Sequence, residues 1–308
     1  MLSSPRGFCA GVVRAIDVVE LCLERFNPPV YVRHEIVHNR HVVDELRGKG
    51  AIFVDDVSEI PIGSTVVFSA HGVPPSIWEE AKERNLQIID ATCPLVTKVH
   101  LEAMKYASED YTIILVGHRG HVEVAGTMGH AANNTILIES PEEAASVTVP
   151  DETKVVALTQ TTLSVDDTAE VIEILKKRFP SLITRNDICY ATTNRQDAVK
   201  AIAEDVELIL VVGAGNSSNS NRLRETAEAA GKQAYLINDP NDIDYAWIEG
   251  KKRIGITSGA STPEWLVQAV IEAIKPTNIE VKKIAEENIT FVLPKTLRQK
   301  LTDNTEAL

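Results

Sequence analysis

Short runs of β-branched and other apolar residues recur along the chain, and each run ends in a polar loop that precedes a helix-like pattern. The clearest runs occupy residues 65–69, 111–116, 154–158, 208–212 and 253–256. Strands that alternate with helices at this spacing indicate βαβ units, which build parallel sheets. Ligands of such sheets bind beyond the carboxyl ends of the strands, where these polar loops lie. The pattern therefore predicts an α/β fold with functional side chains in the loops.

Three cysteines carry a weak internal repeat along this pattern. Cys9, Cys93 and Cys189 each precede a helical segment, with Val or Thr three residues on and a polar or basic residue five residues on. The intervals between the cysteines each have the length of one small α/β module, and repetition of this kind indicates a repeated architecture. We predict one module for each cysteine.

The predicted modules divide the chain near the repeated cysteines. The first module takes residues 1–92, the second residues 93–186 and the third residues 187–275. A chain of 308 residues is long enough for two or three domains of roughly 100 to 150 residues each. If the modules pack around a pseudo-threefold axis, their three cysteines meet at the centre.

Composition and charge exclude several functional classes. Hydrophobic residues make up 44% and charged residues 24% of the chain, a balance typical of soluble globular proteins. The longest apolar runs are too short to cross a bilayer, and no basic-then-apolar leader precedes the first folded segment. We therefore expect a cytoplasmic protein that does not contact membranes. A net charge of −13 argues against nucleic acid as a partner, although helix N-termini can still bind a small anion.

The cysteines fit a metal site better than a disulfide framework, because cytosolic chains rarely hold disulfides. Cys22 lies in an apolar helical pattern and is interpreted as a small buried hydrophobe. The other three thiols can form part of a zinc site, or bind three irons of a cubane cluster and leave the fourth open to substrate. Helix N-termini would lower the pKa of these thiols. The local C-x₂-C pairs of structural zinc sites are absent, and three unrelated buried cysteines are the remaining alternative.

All eight histidines lie in the first 130 residues, which indicates that some of them share a site. His71 and His121 lie in loops directly after predicted strands, and His38 lies in another polar segment. Loop histidines can donate hydrogen bonds to phosphate oxygens or bind a metal. We leave the other five as structural or supporting residues: His34, His41, His100, His118 and His130.

Two further loops add polar groups. Glu123 ends the densest polar loop and is a candidate proton donor if burial or nearby negative charge raises its pKa. A solvated loop carboxylate is the alternative. Residues 159–162 place a glutamine and two adjacent threonines, Thr161 and Thr162, at a helix start, which is more than an N-cap needs.

Residues 213–219 carry a G-x-G turn after a strand and so resemble a dinucleotide-binding fingerprint. Ser218 takes the place of the third glycine, where a side chain would obstruct close packing of helix on strand but can bind an anion at a helix N-terminus. We therefore predict that this loop cradles a diphosphate, with Ser261 of a later loop adding a hydroxyl. A nicotinamide site is the alternative.

Taken together, these segments resemble the family of 4-hydroxy-3-methylbut-2-enyl diphosphate reductases, enzymes of the last step of the non-mevalonate isoprenoid route. The resemblance covers nearly the whole chain, and it rests on several rare strings that occur in the family's order. The strings lie at residues 5–11, 33–39, 68–72, 90–100, 120–124, 159–168, 187–196 and 216–221.

The resemblance implies three α/β modules arranged as a trefoil around one [4Fe–4S] cluster per chain. Cys9, Cys93 and Cys189 would hold this cluster, and its fourth iron would meet the substrate hydroxyl. By the same analogy, residues 276–308 form an extension that packs back on the first module, with a possible added strand at 288–293.

The resemblance also implies the roles of single side chains. Glu123 would deliver protons, and Thr161 would orient the substrate alcohol. Eight further side chains would surround the diphosphate: His38, His71, His121, Thr162, Ser217, Ser218, Asn219 and Ser261.

The implied reaction removes the substrate hydroxyl as water, using two electrons and two protons, and gives isopentenyl and dimethylallyl diphosphates. The implied electron donor is a ferredoxin or a flavodoxin, and the basic runs at 176–178 and 251–253 are candidate contacts for it. Two alternatives come from other classes. One is a zinc hydrolase that acts on a phosphorylated metabolite, and the other is a non-catalytic redox sensor with the same cluster.

Overall fold

The structure is a computed structural model that describes residues 1–26 and 28–298. In this part of the chain, thirteen strands form three parallel sheets with α-helices packed against them. The predicted α/β class with parallel sheets is therefore confirmed. All five runs predicted as strands are strands, with bounds that differ by at most two residues from the prediction.

The first sheet follows a short strand, β1, and a long helix, α1. These two elements are β1 (Leu2–Ser4) and α1 (Ala10–Arg25). The strands of the first sheet are β2 (Val30–Arg33), β3 (Ala51–Val54), β4 (Thr65–Phe68) and β5 (Gln87–Asp90). Its further helices are α2 (Arg40–Gly48) and α3 (Pro75–Glu83). The strand order is β3-β2-β4-β5.

The second sheet repeats this arrangement with the order β7-β6-β8-β9, where the numbering continues along the chain. Its strands are β6 (Thr112–Val116), β7 (Thr135–Ile138), β8 (Val155–Thr159) and β9 (Ile183–Thr184). Its helices are α4 (Pro94–Ser108), α5 (Val122–His130), α6 (Pro141–Ser146) and α7 (Val165–Arg178).

The third sheet combines the first strand of the chain with four late strands. These are β10 (Leu208–Val212), β11 (Gln233–Ile237), β12 (Ile254–Ser258) and β13 (Val281–Lys283). The helices of this module are α8 (Tyr190–Ala203), α9 (Ser218–Ala229), α10 (Tyr245–Ile248) and α11 (Glu264–Ile274). The order is β11-β10-β12-β1-β13.

The central strands of all three sheets are apolar because they are buried on both faces. β4, β8 and β10 are buried along their whole length, as parallel strands covered by helices on two sides usually are. Their carboxyl ends point to the middle of the molecule, so the polar loops after them lie around one centre. The described residues include no helix that is long and apolar enough to cross a membrane.

Sheet membership differs from the predicted module boundaries at the start of the chain. The prediction places residues 1–4 in the first module, but β1 pairs with β12 and β13 of the third sheet. There β1 lies next to β12, just as β5 lies next to β4 in the first sheet and β9 lies next to β8 in the second. The first strand therefore completes the third module and closes the ring of modules. The other boundaries stay predictions.

The predicted strand at 288–293 is wrong. These residues have no strand structure, and the added strand is β13, which reaches the free edge of β1 soon after α11 ends. Residues 287–298, here called the C-terminal segment, run across α1 instead. Arg14 Nε donates a hydrogen bond to the carbonyl of Val292 at 2.8 Å, and the side chain of Leu297 is buried in the core around α1.

Candidate functional site

One central pocket receives side chains from all three modules, and it encloses about 700 Å³ of empty space, part of it open to solvent. Every side chain predicted as a site residue lines it. The set is Cys9, Cys93, Cys189, His38, His71, His121, Glu123, Thr161, Thr162, Ser217, Ser218, Asn219 and Ser261. We call the side with the three cysteines the thiol wall, and the side with the histidines and the residues of α9 the polar wall.

Each cysteine of the thiol wall is the residue immediately before a helix, as the repeat predicts: α1, α4 and α8 begin directly after them. The backbone N–H of each cysteine also donates to a loop of the preceding module in the ring. Cys9 donates to the carbonyl of Ala260, Cys93 to that of Ala70, and Cys189 to that of Thr161, at 2.9 to 3.2 Å. The three thiols are therefore held at the three junctions between modules.

Gly11 permits the close approach of two of these thiols. A Cβ atom at this position would lie 2.8 Å from Cys93 Sγ and 3.8 Å from Cys9 Sγ. Cβ atoms do not approach a sulfur to 2.8 Å, so any other residue here would displace the Cys93 side chain. The sequence prediction missed Gly11, although its place in the Cys-Ala-Gly-Val string was a usable signal.

The thiol pKa values differ from the sequence-based expectation. Helix N-termini were expected to lower them, and backbone N–H groups of Leu95 and Val96 do act in that direction on Cys93. Burial outweighs this effect and raises the pKa of Cys93 to about 12 and that of Cys189 to about 11, with the neighbouring thiols adding to the rise. These two thiols are protonated at neutral pH unless a metal compensates the thiolate charge.

The donor set fits a cluster with three thiolate ligands. Three thiols from separate modules face one pocket, two of them pack against Gly11, and apolar side chains such as Val12 and Val96 complete the wall. Within residues 1–26 and 28–298, no three His, Cys, Asp or Glu side chains are grouped closely enough to hold a single metal ion. A cubane cluster does not require such a group, because each thiolate binds a different iron.

Three histidine rings contact one another on the polar wall. The rings of His38 and His71 stack with centroids 4.1 Å apart, and His121 lies edge-on to both, at 5.5 and 6.0 Å. His38 Nδ1 lies 3.1 Å from Glu35, while its Nε2 is buried without a hydrogen-bond partner among the described residues. A buried nitrogen of this kind favours a polar ligand in the pocket.

The protonation of two of these rings follows from their surroundings. Burial lowers the pKa of His121 to about 4 and the pKa of His71 well below its usual value, and the neighbouring rings add to both effects. His121 caps α5, because its Nδ1 accepts a hydrogen bond from the backbone N–H of Glu123 at 3.1 Å. In the neutral ring, Nε2 therefore carries the hydrogen and can donate to an anion.

Glu123 and Thr161 form a buried pair between the two walls. One oxygen of the Glu123 carboxylate accepts the backbone N–H of Thr161 at 2.6 Å, and the other accepts its hydroxyl at 3.0 Å. These hydrogen bonds favour the ionised form, but burial is the larger effect and raises the pKa of Glu123 to about 7. A carboxyl group with this pKa can hold and release a proton near neutral pH.

The third module supplies the hydroxyl and amide groups of the polar wall. Ser217 caps α9, and the Ser218 hydroxyl donates to the carbonyl of Thr162 at 3.2 Å. Asn219 accepts from the backbone N–H of Ala260, and the Ser261 hydroxyl donates to the carbonyl of His38 at 3.0 Å. Because α9 begins in the pocket, its free N–H groups add to an anion-binding surface.

Close packing of α9 on the third sheet occurs at Ser220 and not at Ser218. A Cβ on Gly213 or on Gly259 would come within 2.2 Å of Ser220 Oγ, so these two glycines create the space that the helix needs. Ser218 is thereby left free to line the pocket.

The sequence prediction missed two supporting residues, one with a partner nearby in the chain and one with a distant partner. Thr192 contacts Cys189 Sγ through both its N–H and its hydroxyl, at 3.4 and 3.2 Å. Asn216 donates to Glu35 at 2.9 Å and so joins the first and third modules beside His38. Both residues lie inside strings that the resemblance used. The three-residue spacing of Cys189 and Thr192 at a helix start was a usable signal for the first contact, whereas nothing in the sequence indicates that Asn216 meets Glu35.

The fold and the site define a class: a ring of three parallel α/β modules that closes around a pocket with one thiol from each module. Residues 1–275 match the family described as LytB protein. The chain belongs to this LytB protein family.

Curated relatives of high similarity are reductases. The 4-hydroxy-3-methylbut-2-enyl diphosphate reductase of Alcanivorax borkumensis is 55% identical over 96% of this chain and 98% of its own length. The enzyme of the same name from Streptomyces avermitilis is 53% identical over 100% of this chain and 93% of its own length. The chain is therefore an enzyme of the oxidoreductase class.

Two solved structures agree with this assignment. The E-1-hydroxy-2-methyl-but-2-enyl-4-diphosphate reductase from Plasmodium falciparum superposes with a TM-score of 0.95 at 40% identity, covering 99% of this chain and 98% of that chain. A structure of (E)-4-hydroxy-3-methyl-but-2-enyl diphosphate reductase has a TM-score of 0.64 at 32% identity, covering 89% and 98%. The three-module arrangement is thus the fold of the family.

Proposed function

We propose that the chain reduces (E)-4-hydroxy-3-methylbut-2-enyl diphosphate to isopentenyl and dimethylallyl diphosphates. The substrate loses its hydroxyl as water and takes up two electrons and two protons. The observation that carries this proposal is the meeting of three thiols, a buried carboxyl group of raised pKa and a polar wall of neutral donors in one pocket. The names of the relatives support the choice of substrate.

Cys9, Cys93 and Cys189 would hold one [4Fe–4S] cluster per chain. When bound, a cluster with one open iron supplies electrons and a Lewis-acid site for an oxygen ligand. The apolar side chains of Val12 and Val96 beside the thiols would limit the access of water to this side of the pocket. The chain's own contribution is to place the substrate alcohol between the thiol wall and the Glu123–Thr161 pair.

The polar wall would bind the diphosphate without a large positive patch. His38, His71 and His121 offer ring nitrogens, and the start of α9 offers hydroxyl, amide and backbone donors. Residues of all three modules are needed for this set, because His38 comes from the first module, Thr162 from the second and Ser261 from the third. Binding of the diphosphate would therefore tie the modules together.

Glu123 would supply the proton that converts the leaving hydroxyl to water. Its raised pKa leaves a substantial protonated fraction near neutral pH, and burial keeps that proton from bulk water. The Thr161 hydroxyl donates to Glu123, so its own oxygen keeps lone pairs that can accept the hydrogen of the substrate alcohol. Thr161 would thus orient the alcohol toward the carboxyl group.

The test is anaerobic turnover of the diphosphate substrate with a chemical reductant, with both products measured by mass spectrometry. We expect Glu123→Gln to keep its iron and its diphosphate affinity but to lose about 10²- to 10⁴-fold in turnover, the usual contribution of a general acid. The control is Glu142→Gln, which changes an exposed carboxylate outside the pocket. Ordinary turnover by Glu123→Gln would refute the proton-donor role, and absence of both products in the wild type would refute the function.

A further inference from the structure

The proposed reaction draws electrons from outside the pocket. Removal of the hydroxyl as water needs two electrons and two protons for each substrate molecule, so a one-electron carrier must be oxidised twice in each turnover. The carrier has to approach the thiol wall from the protein surface. The inference below rests on the proposed function, because only a reductase needs this contact.

The two basic runs predicted as carrier contacts lie far from the thiol wall. Residues 176–178 end α7, and about 17 Å of helix separates them from its first residue, which follows Thr162. Residues 251–253 precede β12, and the strand spans about 17 Å before the loop that holds Ser261. Both runs therefore lie at the outer ends of elements whose inner ends form the pocket.

A different basic surface lies beside Cys93. A groove of the described surface runs between α4 and the C-terminal segment, and we call it the basic groove. Five cationic side chains line it: Arg14, Lys98, Lys105, Lys295 and Arg298. Pro94, the residue after Cys93, also lines the groove, and Lys98 lies about 6 Å further along the helix axis.

The basic groove contrasts with the charge of the whole chain. It contains two acidic residues, Asp90 and Glu102, against its five cations, although the chain has a net charge of −13. Glu102 lies 3.9 Å from Lys98, which also pairs with the buried Asp187 at 3.1 Å. A local positive surface on an acidic protein attracts an acidic partner and orients it during approach.

Two of the five cations, Arg14 and Lys98, have structural roles, Lys98 through its ion pairs with Glu102 and Asp187, and the other three are available for docking. Arg14 is buried and donates to the carbonyls of Ala91, Thr92 and Val292, so it anchors the C-terminal segment. The side chain of Lys105 is exposed and lies over the ring of Tyr106. Lys295 and Arg298 are exposed on the C-terminal segment.

Exposed apolar side chains accompany this charge. Val292 and Leu101 line the basic groove and are 68% and 59% exposed. On the other side of Arg14, a second groove reaches Cys9 and Tyr190, and Val13 and Ile289 line it. Electron-carrier contacts are small, and apolar residues ringed by complementary charge are typical of specific transient interfaces. The two grooves thus lie beside Cys93 and Cys9, and the second one also holds Asp17 and Glu287, so the positive charge is confined to the basic groove.

We propose that the basic groove, together with the C-terminal segment along its edge, is the docking surface for a small acidic electron-carrier protein. The carrier's acidic side chains would face Lys105, Lys295 and Arg298, and its redox centre would lie over the starts of α1 and α4. Each docking event passes one electron to the enzyme and oxidises one carrier, and two events complete the reduction.

The test compares two double charge reversals that change the net charge equally. Lys105→Glu with Lys295→Glu alters the basic groove, and Lys251→Glu with Lys252→Glu alters the remote basic run. Each protein is assayed with a reduced [2Fe–2S] ferredoxin of acidic charge and, separately, with reduced methyl viologen, which does not need a docking surface. Binding of oxidised ferredoxin is measured by titration calorimetry without substrate.

We expect the groove variant to raise the KM for ferredoxin and weaken its binding by about tenfold or more, with viologen-driven turnover unchanged. Its ferredoxin-driven rate should also depend less on salt than that of the wild type. The Lys251/Lys252 variant should match the wild type throughout. The double variant Lys105→Gln with Lys295→Gln should show a smaller rise in the KM for ferredoxin and a smaller loss of binding. It serves as a control, because neutral side chains are less disruptive to folding than the reversed charges are.

Two outcomes would overturn parts of this scheme separately. Equal ferredoxin kinetics and binding in the two reversal variants would refute the placement of the docking surface. Absence of viologen-driven turnover in the wild type would refute the proposed function instead, and the calorimetric comparison would still decide whether the basic groove binds the carrier.

Discussion

The two walls of the central pocket are built in different ways. On the thiol wall, the backbone N–H groups of Cys9, Cys93 and Cys189 donate hydrogen bonds to the neighbouring module. The positions of the three cysteines therefore depend on how the modules pack against one another. On the polar wall, side chains from separate loops contact one another, and a buried nitrogen of His38 has no partner among the described residues. The first wall suits a rigid group held by fixed donors. The second suits a ligand that completes an unfinished hydrogen-bond network.

Burial shifts pKa values on both walls, but the groups are acids in one case and bases in the other. It raises the pKa values of Cys93, Cys189 and Glu123, which lose a negative charge on protonation, and it lowers those of His71 and His121, which gain a positive one. All these effects disfavour charge on the side chains that line the pocket. In the proposed function, most of the charge in the pocket would therefore come from what binds there, a metal cluster at the thiol wall and a diphosphate at the polar wall.

The largest expected effect is the loss of a thiol. Cys93→Ser should remove most of the iron and nearly all turnover, because a buried hydroxyl does not replace a thiolate as an iron ligand. Iron and sulfide counts with a Mössbauer spectrum on protein purified without oxygen measure this. The control is Cys22→Ala, since Cys22 is buried in the core around α1, away from the pocket. A colourless wild type that holds a single zinc would contradict the cluster and favour the zinc hydrolase.

A second prediction concerns the space beside the thiols. Gly11→Ala should lower iron content about tenfold while it leaves the fold intact or slightly more stable, because alanine favours a helix over glycine by about 1 kcal/mol. The added methyl group meets Cys93 Sγ and not the backbone. In the control, Gly48→Ala, the new Cβ has no atom within 4 Å. Normal iron content in Gly11→Ala would show that the thiol wall can rearrange.

A third prediction addresses the polar wall alone. His121→Asn keeps a cap for α5 but removes the ring donor, and should raise the KM for the diphosphate substrate about 10- to 100-fold, the usual cost of a hydrogen bond to a charged group. His121→Asp also caps the helix, but its negative charge should weaken binding further. Iron content should stay unchanged in both.

The control for these two variants is His118→Asn, because His118 does not line the central pocket. If His121→Asn lost iron to the same extent as substrate affinity, the two walls would not be independent.

The sequence was sufficient for the parts of the fold that depend on local pattern. Buried strands such as β10 are continuous apolar runs, and each cysteine of the repeat immediately precedes a helix. Both features depend on residues that are neighbours in the chain. The position of β1 in the third sheet could not be predicted from local sequence pattern. Its pairing with β12 joins residues more than 250 positions apart, and the short segment Leu2–Ser4 has no feature that selects one sheet over another.

The site shows the same limit at the level of side chains. His38, His71 and His121 could be proposed as a set from their loops. The stacking of His38 on His71, however, depends on the pairing of β2 with β4, and the edge-on contact of His121 depends on how the first and second modules meet. The thiol pKa values were predicted in the wrong direction, because the helix start is visible in the sequence whereas the depth of burial is not. Gly11 was overlooked for a related reason: its role depends on a sulfur that is remote in sequence.

The smallest expected effect concerns the stability of the pocket as pH changes. Burial raises the pKa of Glu123 to about 7 in the folded protein, from 4.5 when exposed. The folded state then holds this proton more tightly than the unfolded state does. The stabilisation is therefore fully present below about pH 4.5, declines as pH rises, and is lost above about pH 7.

This pKa difference corresponds to on the order of 3 kcal/mol, or a change of several degrees in Tm. We expect the Tm of the wild type, relative to that of Glu123→Gln, to fall between about pH 5 and about pH 8, because the amide cannot titrate. Other titrating groups are common to both proteins and cancel in this difference. Glu142→Gln should show no such trend. Parallel Tm profiles for the wild type and Glu123→Gln would mean that hydrogen bonds from Thr161 offset burial, and that the carboxyl group is ionised before substrate arrives.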